Sequence, residues 1–165
     1  MSHQKATIQY LGYLKNANTE EAKKQLFYNL LNEWFKKDDE AKKIISQMAL
    51  GAEKTILNIP KKDKSGESSN RSGRADTQYR QVIIEFENDI QAKAKREHAE
   101  YQLKEYFVGN FNSGDAYDFY LIATDCVRWA IYGVCPESYL GKINSNIPLK
   151  QIGRASCRER VLLMV

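Results

Sequence analysis

The sequence predicts a mixed α/β (α+β) domain in which a central sheet is flanked by helices. Three observations carry this. The first third of the chain repeats apolar residues at helical spacing. The middle, and the stretch 117–134, are dense in β-branched and aromatic residues between turn signals. A helical segment separates these two groups of strands, as in a layered domain with a mixed sheet. At 165 residues the chain has room for one ordinary domain with a real core.

Residues 1–18 are a polar lead with Tyr10, Leu11, Tyr13 and Leu14 interspersed. Thr19 reads as a helix N-cap followed by the first-turn acids Glu20 and Glu21. The helix is expected to run to about residue 36, with Leu26, Phe27, Leu30, Leu31, Trp34 and Phe35 on its apolar face. Residues 1–38 thus form an N-terminal helical lead, and 39–151 the main domain. Asp38, Asp39 and Glu40 open a second helix whose apolar residues extend from Ala41 to Ile56 and Leu57, with Gly51 as a point of kinking or breaking. Glu53 falls near the end of that helix, where the dipole disfavours an acid. A first strand is expected over 56–60. Residues 61–74 are polar, basic and rich in Ser and Gly, and read as a mobile surface loop. Lys61, Lys62, Lys64, Arg71 and Arg74 are its candidate phosphate contacts.

The stretch 73–89 reads as a hairpin that gathers carboxylates. Val82, Ile83 and Ile84 open a buried run that then carries Glu85, Phe86 and Glu87. Strand side chains alternate faces, so Glu85 and Glu87 project to one side. A two-residue turn at Arg80 and Gln81 sets Asp76 across from Glu85, although these residues lack the Gly or Asn that tight hairpins prefer. Three acids at one sheet edge repel, and a divalent cation on oxygen ligands is the usual compensation. Asp89 then caps a helix expected to reach about residue 108, with Gln102 and Tyr106 on one face. After a loop at 109–115 come strands over 117–124 and 127–134, joined by a turn at Asp125 and Cys126.

The segment from Ile152 to Val161, IGRASCRERV, matches one frame of a common sequencing adapter, and residues 152–165 are expected to be an artefact tail outside the fold. The natural frame is then expected to continue past Gln151. Without Arg154, Arg158, Arg160 and Glu159 the net charge falls from +4 to +2, too little to argue for nucleic acid. Cys126 and Cys135 remain, read as buried free thiols rather than a disulfide or metal set. No apolar run is long enough to span a membrane, and a cytoplasmic location is the default expectation.

Asp76 with Glu85, Phe86 and Glu87 resembles the signature of the PD-(D/E)XK nuclease superfamily, with Glu in place of the usual Lys. Gln102 and Tyr106 resemble the QxxxY motif of its RecB-type members. The segment from Ile122 to Tyr132 resembles the stretch after the nuclease core in the N-terminal domains of type I and type IIG restriction enzymes. The likeness covers about residues 40–134. It implies a restriction-endonuclease-like αβββαβ core with an extra N-terminal helix. It also implies an endonuclease domain, dependent on Mg²⁺ or alternatively Mn²⁺, that acts on double-stranded DNA in a restriction–modification enzyme. Asp76 and Glu85 would bind the metal, with Glu53 as a further ligand and Glu21 as the alternative. Glu87 would act as a base or further metal contact, Gln102 and Tyr106 would line the site, and Lys61, Lys62, Arg71 and Arg74 would touch DNA. Methyltransferase, helicase or target-recognition domains would lie beyond Gln151. Two alternatives stand beside this: a RecB-type repair nuclease, and a nuclease-fold module that binds DNA or protein without cutting.

Overall fold

The computed structural model describes residues 3–50, 52–62, 68–114, 119–134 and 149–156. Three helices lead: α1 (His3–Leu14), α2 (Glu20–Trp34) and α3 (Asp39–Leu50). Strands β1 (Ala52–Lys62), β2 (Ser68–Tyr79) and β3 (Val82–Phe86) come next, then helix α4 (Lys93–Asn112). Strands β4 (Tyr120–Thr124), β5 (Arg128–Val134) and β6 (Leu149–Ser156) complete the order. The mixed sheet flanked by helices is as expected, and α3-β1-β2-β3-α4-β4 reproduces the αβββαβ succession. Among the described residues no helix is long and apolar enough to cross a membrane.

The caps of α2 and α3 are legible in their side chains. The Thr19 hydroxyl accepts the Ala22 N–H at 3.2 Å, and the Asp38 carboxylate accepts the Ala41 N–H at 2.9 Å. The polar lead is itself helical: Ala6, Tyr10 and Leu14 recur every fourth residue and are buried. The helix opened by Asp39 stops at Leu50 rather than continuing to Leu57. Thr55, Ile56 and Ile59 belong to β1, where β-branched side chains suit a pleated surface. Glu53 therefore lies on a strand, not at a helix end.

The expected basic loop is mostly a long β1–β2 ribbon. Its pairing runs from Ala52↔Thr77 to Lys62↔Ser68, with a register shift between Ile56 and Ile59. Asn58 absorbs that shift with φ at 59°, a left-handed conformation Asn tolerates. Pro60, which cannot donate to a ladder, sits on this edge strand. Lys64 lies outside the described residues.

Among the described residues the sheet order is β1-β2-β3-β4-β5-β6, with β3–β4 parallel and the other joins antiparallel. Each face buries a core. On one, α4 lays Leu103, Tyr106 and Phe107 against Ile56, Ile59, Ile83 and Leu121. On the other, α1 and α2 bring Tyr10, Leu14 and Leu30 against Ile84, Phe86 and Cys126. The N-terminal lead thus shares a core with the main sheet. β6 pairs with β5 and draws residues 152–156 of the expected tail into the sheet edge. Residues 157–165 of that tail are outside the described part, as is Cys135.

Candidate active site

The hairpin register positions the acids. Tyr79↔Val82 closes around Arg80 and Gln81, and the pairing continues through Thr77↔Ile84. Arg80 takes the left-handed conformation that lets so short a turn close, at φ 50°. One step further along, Asp76 and the end of β3 are bonded in both directions. The Asp76 N–H donates to the Glu85 carboxylate, and the Asp76 carboxylate accepts the Phe86 N–H at 2.9 Å.

Glu85 is only 4% exposed, and its Oε2 is buried without a hydrogen-bond partner. Burial first, and then the charge of Asp76, push its pKa up to about 9. Asp76 is shifted upward too, chiefly by burial and against the opposing Phe86 N–H and Lys24. Glu20, from the first turn of α2, is raised by burial and then by Asp76 and Glu87. These carboxylates therefore stand close enough to oppose one another's ionisation.

Glu87 is differently placed. It is buried, with Oε2 held 3.2 Å from Lys95 Nζ and Oε1 3.1 Å from His98 Nδ1. Both of its oxygens are thus occupied by α4. Its backbone N–H donates to the Thr124 carbonyl at 2.8 Å, fixing the end of β3 to β4. Gln102 Nε2 donates to the Tyr106 hydroxyl at 3.3 Å, and that hydroxyl donates to the Arg74 carbonyl at 2.6 Å. Burial and then the charge of Glu85 raise the Tyr106 pKa to about 12, so this side chain faces the acids from α4.

Asp76, Glu85, Glu87 and Tyr106 thus meet at one end of β3, with Gln102 bonded to Tyr106. The side chains of Glu53 and Lys62 lie outside the described part. Lys61 is exposed near the far end of the β1–β2 ribbon, and Arg74 is exposed on β2. Arg71 is tied to the buried Glu105 carboxylate, which Tyr101 also bonds at 2.7 Å, so it is committed within the fold. Glu20, Lys24, Lys95 and His98 are site neighbours that sequence reasoning passed over. Glu20 and Lys24 continue the Phe27, Tyr28 and Leu31 stripe of α2 at helical spacing, a signal present in the sequence.

Among the described residues no three His, Cys, Asp or Glu side chains form a ready-made cation site. The donor set still fits a hard cation. Two neighbouring carboxylates, one with an orphaned buried oxygen, suit Mg²⁺, which keeps several waters and takes one or two carboxylates. No family model matches the chain, and no curated protein or solved structure matches it significantly.

Proposed function

We propose that this chain is a Mg²⁺-dependent DNA endonuclease domain that hydrolyses phosphodiester bonds, of the kind restriction–modification enzymes carry. The observation that carries this is the buried Glu85 carboxylate beside Asp76, with Oε2 unsatisfied. Such an atom costs free energy unless something binds it, and a neighbouring acid makes that something a cation. Bound Mg²⁺ would polarise a phosphate and lower the pKa of an attacking water. Asp76 and Glu85 would hold it. Tyr106, its hydroxyl fixed between Gln102 and the Arg74 carbonyl, orients the α4 side of the site. Glu87, engaged by Lys95 and His98, locks α4 to the end of β3 rather than serving as a ligand.

The test is plasmid nicking with Mg²⁺ or Mn²⁺ against an EDTA control. Glu85→Ala is expected to lower cleavage by about 10²-fold or more while DNA binding survives. Equal background cleavage by wild type and Glu85→Ala would overturn the catalytic reading. The occupied state of Glu87 favours one alternative, a module that binds DNA without cutting, and that outcome would support it.

A further inference from the structure

A buried ammonium needs acceptors for three N–H bonds. Lys24 is only 5% exposed. Its Nζ donates to the Asp76 backbone carbonyl at 3.0 Å and lies 5.6 Å from the centre of the Phe86 ring. Among the described residues no carboxylate pairs with it at salt-bridge distance. One N–H is used by the carbonyl and the ring centre, at 5.6 Å, is beyond hydrogen-bond distance, so donor capacity remains at the acidic end of the sheet. The charge of Lys24 is felt by both Asp76 and Glu20, which places the ammonium among these groups. A lysine that merely neutralised the acids would close directly on a carboxylate. Here the chain holds it on a backbone carbonyl, which positions the charge without quenching it.

We propose that Lys24 is a phosphate contact of this site, its ammonium donating to a non-bridging oxygen of the duplex phosphodiester that approaches Asp76 and Glu85. This rests on the nuclease reading above. A phosphate entering a group of acids meets repulsion, and a positioned cation at their edge offsets it. The same flexible stem that reaches the Asp76 carbonyl lets the ammonium turn toward an incoming anion.

Binding of a labelled DNA duplex is measured in EDTA, where no cutting occurs, across 50–200 mM NaCl for the full chain. Each neutralised phosphate contributes about −0.9 to the slope of log K against log salt. Lys24→Met is expected to lose about one such unit and Lys24→Arg to keep it. Lys36→Met, just past the far end of α2 where Lys36 pairs with Glu33, is expected to change nothing. A folded Lys24→Met with the wild-type slope overturns the proposal, leaving Lys24 as a structural charge. Wild type that binds no duplex at any salt overturns the nuclease reading, and the proposal with it. Should Lys24→Met not fold, the ¹⁵N signal of the Lys24 amine in wild type, assigned from its loss in Lys24→Arg, is followed on adding duplex. A shift supports the contact, and an unmoved signal under saturating duplex overturns it.

Discussion

At the scale of single residues, the acids at the end of β3 divide into two kinds. Glu85 is unsatisfied and strongly raised, whereas Glu87 is held on both oxygens. The first predicts a pH dependence. Glu85 binds its proton more tightly folded than unfolded, with the folded value about 9 against an ordinary 4.5. Its contribution to stability is therefore complete below about pH 4.5 and drains away as pH rises toward 9. Asp76 and Glu20 shift the same way. In EDTA the Tm is expected to fall across this window, and Glu85→Gln to flatten the decline, as thermal melts at stepped pH would show. The second predicts that Glu87→Lys is damaging, since it sets an ammonium against Lys95. A loss of about 1–3 kcal/mol in denaturant unfolding is expected, partly restored by adding Lys95→Glu. The three acids are visible in the sequence because strand alternation and a short turn suffice to place them. That Glu87 is taken is not visible there, because Lys95 and His98 reach it only through the docking of α4, a tertiary fact that strand periodicity does not encode.

At the scale of elements, the packing of α4 on the sheet depends on two glycines. A Cβ at Gly109 would meet Ile56 Cγ2 at 2.5 Å and the Leu57 carbonyl at 2.6 Å, and one at Gly73 would meet Tyr106 Cε1 of α4 at 3.0 Å besides Ile59 Cδ1 at 2.6 Å. Helix and ribbon are therefore in close contact at both points. Gly109→Ala is expected to cost about 1–3 kcal/mol despite the better helix propensity of Ala, because the Leu57 carbonyl cannot step aside. Equilibrium unfolding in urea checks this. Elsewhere the type of each element is more legible in the sequence than its limits. Asp89 does cap a turn, accepting the Gln91 N–H at 2.8 Å, yet α4 itself starts at Lys93. The helix–strand boundary near Gly51 is ambiguous in sequence because Ile56 and Leu57 satisfy either period, and the long strand pairing of the ribbon decides the matter.

At the scale of the whole molecule, the N-terminal helices are part of the body that holds the site. The Tyr10 hydroxyl donates to the Cys126 carbonyl at 2.7 Å across the core, and Lys23 donates to the Asn88 carbonyl just past the end of β3. Phe27 packs against Trp129 of β5, with ring centres 4.9 Å apart. Tyr10→Phe is expected to cost about 1–2 kcal/mol by removing this buried hydrogen bond, read from the shift of the denaturation midpoint. The helical lead looks separable in sequence because its polar residues outnumber the few that dock. The spatial order of the sheet has a different consequence. Every described strand lies beside its neighbour in the chain, so none must be threaded between two others already formed. Such a sheet can grow from one edge to the other in the order in which residues leave the ribosome. Among the described strands, the parallel join is the one where a helix intervenes: α4 must be made before it can carry the chain back to begin β4.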